Sequence, residues 1–138
     1  MALPSNLTLE VVTAERSLVN ETIDEAEVPG SDGYFGVLPG HTPFLAALKV
    51  GDLWFRQGEK LTHLSVAFGF AEVLPDRIRI LAKNAELAQE IDVNRAKEAE
   101  RRARARLDSE SVETDFDRAG LALERALIRL RVASTISS

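Results

Sequence analysis

Four arginines are the residues of this sequence whose type and spacing could bind a charged ligand. Arg95 and Arg102 are seven residues apart, and Arg125 and Arg129 are four apart, so each pair lies on one face if its segment is helical. Guanidinium groups present planar forks of hydrogen-bond donors, which suit phosphate oxygens. Like charges at this spacing repel by a few tenths of a kcal/mol, so an anion between them would relieve the repulsion.

Two carboxylates precede the arginines and extend the same chemistry. Glu86 and Asp92 could accept hydrogen bonds from a ribose hydroxyl or an adenine amino group if a helical hairpin brought them close to the arginines. The spacing therefore suggests a nucleotide site. From spacing alone, arginines that only face solvent are the favoured alternative.

Other kinds of chemistry lack their residues. The chain has no cysteine and only two histidines, His41 and His63, which argues against thiolate zinc sites, cysteine nucleophiles and histidine-rich metal sites. Neither a nucleophile elbow of the G-x-S-x-G type nor a Walker phosphate loop occurs. We therefore predict no catalytic residue and no metal site.

The distribution of charge argues against nucleic acid as a partner. The 138 residues carry a net charge of −5, and the basic residues of the second part alternate in blocks with an acidic stretch from Asp108 to Asp117. General nucleic-acid binding needs a broad basic surface, which this composition does not provide. The start of the chain has no signal-peptide pattern, and the longest largely apolar run, Leu64 to Leu74, is too short to span a bilayer. We expect a soluble protein that meets a membrane only through partners.

Two different residue patterns along the chain indicate an α+β organisation. From Leu7 to Leu81, short apolar runs alternate with turn residues, notably from Pro29 to Gly33 and at Pro75-Asp76. Eight or more short strands at this spacing predict an antiparallel sandwich or flattened barrel, since no crossover helix is present for a parallel sheet.

The second part of the chain reads as two helices. Ile91 to Leu107 lacks Gly and Pro and is rich in helix-forming residues, with Asp92 in the N-cap position. After a polar turn, Thr114 and Asp117 resemble a capping box, and Phe116 to Val132 shows helical periodicity.

The first helix has a weak apolar stripe. Its members are Ala96, Ala99, Ala103 and Leu107, and single methyl groups stabilise a packed helix far less than leucine side chains do. We therefore predict that the helical pair is only marginally docked and can exist in two states, with ordinary stable packing as the alternative.

Three segments resemble one known family, the epsilon subunit of the bacterial rotary F-type ATP synthase. Val28 to Phe44 is similar to its glycine-rich segment ending in P-G-H-x-P. Gly69 to Val73 is similar to its G-G-x-x-E-V strand, with Phe70 in place of a small residue. Ala126 to Val132 resembles its A-x-x-R-L-x-V/A ending. Together the three segments extend the resemblance over nearly the whole chain.

The resemblance implies a fold and a set of partners. It implies a β-sandwich of about ten strands over residues 1–87, which binds the gamma subunit and the c-ring, and a regulatory two-helix hairpin over residues 88–138. The loop that holds Tyr34 and His41 is the implied site of c-ring or gamma contact, although Tyr34 replaces an acidic residue of some relatives. The implied location is the cytoplasmic face of the bacterial inner membrane, peripherally and through the complex.

The resemblance also implies a regulatory ATP site. Some bacterial members bind ATP through an I/L-D-x-x-R-A motif, which this chain matches with Ile91, Asp92, Arg95 and Ala96. The further positions of the family's site are occupied by Glu86, Arg102, Arg125 and Arg129. ATP is then a regulatory ligand and not a required cofactor, and no hydrolysis is expected.

The family's hairpin switches between a docked and an extended form. Drawn out as one helix at 1.5 Å per residue, residues 91–134 would reach roughly 65 Å. The extended form would inhibit ATP hydrolysis beside the alpha and beta subunits, where basic side chains would meet acidic loops of beta; the candidates are Arg101, Arg104, Arg106 and Arg118. A free-standing nucleotide-binding regulatory protein or enzyme is the competing hypothesis, and sustained phosphate release by the isolated chain would favour it.

Overall fold

The computed structural model describes residues 4–111 and 113–136. Residues 1–3, Val112, Ser137 and Ser138, which the sequence analysis assigned to the sandwich, the turn and the hairpin, lie outside the described residues. The elements in chain order are β1 (Leu7–Val12), β2 (Ser17–Ile23), β3 (Glu25–Gly30), β4 (Gly33–Val37), β5 (Phe44–Ala47), β6 (Val50–Gln57), β7 (Lys60–Leu74), β8 (Arg77–Leu87), a 3-10 turn (Ala88–Glu90), α1 (Val93–Leu107) and α2 (Phe116–Ser134). The predicted β-sandwich followed by a two-helix hairpin is confirmed.

The strands follow the order β2-β1-β8-β7-β6-β3-β4, with β5 paired to the far half of β7. All pairs are antiparallel except one: β1 and β8 run parallel, with Thr8 opposite Arg77 and Val12 opposite Leu81. The prediction of a purely antiparallel sandwich was wrong here. The strands between β1 and β8 make the connection that a crossover helix makes in α/β folds.

The strand count of about ten is also corrected, because the described residues form eight strands. The predicted strands Leu61–Ala67 and Glu72–Leu74 are two halves of β7. Between them the backbone bends at Phe68 and Gly69, whose φ angles are 64° and 116°. The ladder to β8 keeps its register across the bend, so the strand continues.

One apolar core fills the sandwich, and strand alternation builds it. On β1, Leu7, Leu9 and Val11 are fully buried, and on β6 the side chains of Leu53 and Phe55 point the same way. Because alternate residues face opposite sides of a strand, the residues between them form the outer face of the sheet. That outer face, on β6 and β7, is where α2 packs.

The two helices begin at capped residues. Asp92 accepts a hydrogen bond from the backbone N–H of Arg95, as predicted. The second cap was assigned one residue too early: Asp115, not Thr114, accepts from the backbone N–H of Arg118. Both residue types are good N-caps, and the choice follows from where the first helical turn starts.

A small apolar cluster, separate from the main core, joins α2 to the 3-10 turn and to the residue that follows it. Ala88, Ile91, Val132 and Ala133 are buried in it, with Ile128 packed against it. Of the predicted alanine stripe, Ala96 and Ala103 are buried, while Ala99 and Leu107 are only partly covered. No helix in the described part of the chain is long and apolar enough to cross a bilayer.

Candidate functional site

A cleft of about 410 Å³ lies between the outer face of the sheet and the two helices. Its floor consists of Ser65 and Ala67 on β7 and Asn84, Ala85 and Glu86 on β8. Cross-strand pairing places these side chains together, since Ser65 is opposite Glu86 and Ala67 is opposite Asn84. A volume in this range is typical of small-molecule sites.

The helices form the roof of the cleft. Its lining residues are Ala99 of α1 and Ala122, Arg125, Ala126 and Arg129 of α2. The four residues of α2 follow the spacing of one helix face. Since the alanines have only a methyl group, they let the helices approach the sheet and still leave space above the floor.

Arg129 joins the roof to the floor. Its Nε donates to Oε1 of Glu86 at 2.7 Å, and its Nη2 donates to Oε2 at 3.2 Å. The Arg129 side chain is 22% exposed and that of Glu86 is 35% exposed. This bidentate ion pair connects the hairpin to β8 and holds the guanidinium at the cleft.

The other three predicted arginines lie around the same space. Arg125 lines the cleft and forms no ion pair or side-chain hydrogen bond among the described residues. Arg95 and Arg102 stand one turn before and one turn after Ala99, which lines the cleft, so they share its helix face. Arg102 is 3.8 Å from Glu98 through Nη1, and both side chains are about half exposed. The cleft therefore has two arginines in its wall and two beside it.

The remaining predicted ligand-binding residues have structural contacts. Ile91 belongs to the small apolar cluster, Asp92 caps α1, and Ala96 is fully buried. These three residues of the I-D-x-x-R-A motif fix where α1 starts and how closely it packs. The motif thereby sets the position of Arg95.

The floor residues Ser65 and Asn84 were not predicted from the sequence. Ser65 is 8% exposed, and its hydroxyl forms no hydrogen bond among the described residues. The signal in the sequence is a single polar residue in the apolar run from Leu64 to Ala67, on the opposite face from Leu64 and Val66. Asn84 gives no signal until the register of β7 and β8 is known.

Tyr34 and His41 line different depressions of the sandwich. The Tyr34 hydroxyl accepts from the backbone N–H of Asp52 at 3.1 Å, and Lys49 Nζ lies 4.5 Å from the ring centroid. His41 Nδ1 is 2.6 Å from the carbonyl oxygen of its neighbour Thr42. Tyr34 is 42% exposed, and the exposed apolar side chains of Phe44 and Leu45 line the same depression, so this surface can contact another protein.

The connection between sandwich and hairpin carries a second long-range ion pair. Arg16, in the turn between β1 and β2, donates to both carboxylate oxygens of Glu90 at 2.6 and 2.8 Å. Glu90 also accepts from the backbone N–H of Leu87. The hydrogen bonds from Arg16 hold the pKa of Glu90 below its ordinary value, against the opposing effect of partial burial.

A carboxylate lies under the hairpin on the same outer face. Asp52 is 5% exposed, and both of its oxygens are 2.9 Å from Nδ1 of His63. Asp52 is opposite Ser65 in the sheet, next to the floor of the cleft. No group of three or more potential metal-ligating side chains that could hold an ion occurs among residues 4–111 and 113–136.

Comparison with known proteins places residues 6–134 in one family. Residues 6–88 match the family model described as the beta-sandwich domain of the ATP synthase Delta/Epsilon chain, and residues 89–134 match the long alpha-helix domain of the same chain. The ATP synthase epsilon chain of Syntrophobacter fumaroxidans is 50% identical over 91% of this chain and 93% of its own. That of Desulforamulus reducens is 46% identical over 91% and 95%.

A solved structure has the same fold. One chain in the cryo-EM structure of the Euglena gracilis mitochondrial ATP synthase, comprising OSCP, F1 and the c-ring, superposes with a TM-score of 0.84. The alignment covers 97% of this chain and 84% of that chain at 24% identity. The sandwich with its hairpin is therefore an architecture found within an assembled rotary enzyme.

Proposed function

Because the chain belongs to the epsilon-chain family of the ATP synthases, we propose that its hairpin binds ATP in the docked state and inhibits ATP hydrolysis when it undocks. Members of this family are non-catalytic subunits, so the alternative of a free-standing enzyme is set aside. The observation that carries the proposal is the cleft in which Arg125 and Arg129 face a floor that contains Glu86.

The donor set of the cleft fits a nucleoside triphosphate. Arg125 has no competing partner among the described residues, and Arg129 is held at the cleft by Glu86. Arginine forks bind phosphate oxygens, and a carboxylate such as Glu86 accepts from ribose hydroxyls. The ligand would contact α1, α2 and β8 at once, so it would stabilise only the docked hairpin.

Docking is weak enough for a ligand to control it. The apolar cluster that holds α2 to the 3-10 turn is small and includes Ile91 and Val132, and the buried residues that join the helices are mostly alanines. ATP at ten times its dissociation constant would stabilise the docked state by about 1.4 kcal/mol. That energy shifts the ratio of docked to undocked hairpin about tenfold.

The undocked hairpin would act on the catalytic head. Basic side chains of the helices, among them Arg106 and Arg118, would then meet acidic loops of the beta subunits, next to alpha. In the docked state, Arg101 and Arg104 are paired with Glu98 and Glu100 on α1 itself. Low ATP thus favours inhibition, and high ATP favours the compact form.

The sandwich is the proposed attachment to the rotor. Exposed apolar side chains lie near Tyr34 and His41, namely Leu38, Phe44 and Leu45. Such a surface fits contact with the gamma subunit and the c-ring, which would hold the protein peripherally at the cytoplasmic face of the bacterial membrane.

Titration calorimetry with ATP tests the site. We expect Arg125→Ala and Arg95→Ala to weaken binding at least tenfold, since each removes a charge-assisted contact with phosphate. Arg77→Ala is the matched control, because Arg77 is an exposed arginine at the start of β8, outside the cleft. Equal affinity in the wild type and both cleft variants would contradict the placement of ATP.

Deletion of residues 88–138 tests the regulation. The main core draws only on residues of the sandwich, so the truncated chain keeps it intact. We expect the full chain to slow ATP hydrolysis by the catalytic core and the truncated chain to bind gamma without slowing it. Equal inhibition by both chains would contradict an inhibitory hairpin.

A further inference from the structure

We propose that Arg16 latches the linker that leads into the helical hairpin and thereby makes the hairpin harder to open. The linker consists of residues 88–92, which are the 3-10 turn and the two residues before α1. The latch is the ion pair of Arg16 with Glu90, neither of which lines the cleft. The inference needs neither ATP nor the catalytic head, so it goes beyond the proposed function.

The latch joins two parts of the chain that are distant in sequence. Arg16 and Glu90 are 74 residues apart, and their side chains meet through two hydrogen bonds of 2.6 and 2.8 Å. A guanidinium that donates to both oxygens of one carboxylate is fixed in orientation as well as in distance. Among the ion pairs of residues 4–111 and 113–136, this one and that of Arg129 with Glu86 connect the sandwich to the segment that follows it.

Both partners of the latch are held in place by contacts of their own. The backbone carbonyl of Arg16 accepts from the backbone N–H of Thr13 at 2.9 Å, which closes the turn before β2. In the linker, Oε1 of Glu90 accepts from the backbone N–H of Leu87 at 3.1 Å. Because each partner is already positioned, the ion pair loses less of its stabilisation to side-chain ordering than a pair of free side chains does.

The linker also carries the apolar contact with α2. Ala88 and Ile91 of the linker are buried in one small cluster with Val132 and Ala133 of α2. An opening of the hairpin that keeps this cluster intact has to swing the linker away from the sandwich, which breaks the latch. An opening that keeps the latch has to break the cluster instead. Arg16 therefore acts on the docking of α2 without belonging to either helix.

The charges around the latch favour the ionised forms of both partners. The hydrogen bonds from Arg16 hold the pKa of Glu90 below its ordinary value. The hydrogen bond to Glu90 and, to a smaller extent, the charge of Glu86 raise the pKa of Arg16. Since the two side chains of the latch are 46% and 34% exposed, dissolved salt screens their attraction.

Native-state hydrogen exchange of the full-length chain tests the latch. Arg16→Ala should speed the exchange of α2 amides about threefold, which is the size of effect that a partly exposed ion pair produces. Arg101→Ala is the matched control, because it removes an exposed arginine whose partner, Glu98, lies on the same helix. It should leave the exchange of α2 amides unchanged. Circular dichroism checks that each variant is folded.

Glu90→Gln identifies the partner of Arg16. Glutamine keeps an oxygen that can accept from the N–H of Leu87 and lacks the charge. We expect it to speed the exchange of α2 amides by a similar factor. The double variant with Arg16→Ala should be no faster than the single variants, because all three lack the same ion pair. Higher salt should speed exchange in the wild type more than in the double variant.

Three results would overturn the latch. The first is an unchanged exchange rate of α2 amides in Arg16→Ala. The second is a double variant whose effect is the product of the two single effects, since the two side chains would then act independently. The third is an equal effect of Arg101→Ala, because the loss of any exposed arginine would then open the hairpin.

Discussion

Val132 packs α2 against the 3-10 turn that follows β8, and its truncation to alanine tests whether the hairpin opens as a unit of its own. The side chain is fully buried in the small cluster with Ile91 and Ala133, outside the main core. Val132→Ala removes two carbon atoms from this contact, which costs about 1.6 kcal/mol at about 0.8 kcal/mol per carbon. The open form of the hairpin should then become about fifteenfold more populated.

Native-state hydrogen exchange measures this opening directly. Amide protons of α2 should exchange about fifteenfold faster in Val132→Ala, while the slowest amides of β7 and β8 should change little, because they exchange only when the sandwich itself unfolds. ATP should restore protection in α2 if it binds the docked hairpin.

Val19→Ala is the matched control. It makes the same chemical change at a residue that is 5% exposed in the main core. It should speed exchange in the sandwich and leave local opening of α2 unaltered. If α2 amides respond to Val19→Ala as strongly as sandwich amides do, or do not respond to Val132→Ala, the hairpin is not a separate unit and the reasoning fails.

Three further predictions concern the platform on which the hairpin docks. Gly69→Ala should lower the free energy of unfolding by about 3 kcal/mol, because the added Cβ would lie 2.0 Å from a backbone oxygen and the φ angle is 116°. Gly36→Ala is the control: a Cβ added there has no atom within 4 Å, so the cost should be less than about 0.5 kcal/mol. Denaturant unfolding measures both. His63→Ala should lower the free energy of unfolding by about 2 kcal/mol, because it leaves the buried Asp52 carboxylate without its partner. In a protein that already carries Asp52→Ala, the same change should cost clearly less, and a double-mutant cycle measures the difference. The ion pair lowers the pKa of Glu90, so its stabilisation is present above the ordinary carboxyl pKa and lost as pH falls through the lowered value. In Glu90→Gln, the free energy of unfolding should therefore fall less steeply as the pH is lowered.

Each of these predictions has a contrary result. Similar stability of the two glycine variants would mean that the bend in β7 relaxes easily. An equal cost of His63→Ala with and without the carboxylate would mean that the pair contributes no coupling energy. An unchanged acid limb in Glu90→Gln would show that the ion pair does not stabilise the fold.

The helices were predictable because their signals are local. Asp92 caps α1, and helix-forming residues without Gly or Pro follow it up to Leu107. The cap of α2 was wrong by one residue because Thr114 and Asp115 are both suitable caps, and only the start of the helix decides between them. Local patterns give the element and leave its boundary open.

The pairing of strands was less predictable because it depends on contacts between distant residues. Nothing in the sequence of β1 indicates that it runs parallel to β8, and the bend at Phe68 looks like the end of a strand until the ladder is seen to continue. The floor of the cleft depends on the same register. Ser65 and Asn84 therefore entered the site only with the structure, whereas Arg125 and Arg129 were singled out by their helical spacing and assigned to the site by the family resemblance.

The pairing of the first strand with the last also sets the order in which the protein can be assembled at the ribosome. Until β8 has been synthesised, one edge of β1 has no partner, so the sandwich closes only when residues 77–87 have left the exit tunnel. The next residues to emerge are those of the hairpin, which meet a platform that has just been completed. A pause in translation at the moment when residues 77–87 have just left the tunnel would therefore favour correct folding, because it gives the most non-local ladder of the molecule time to form.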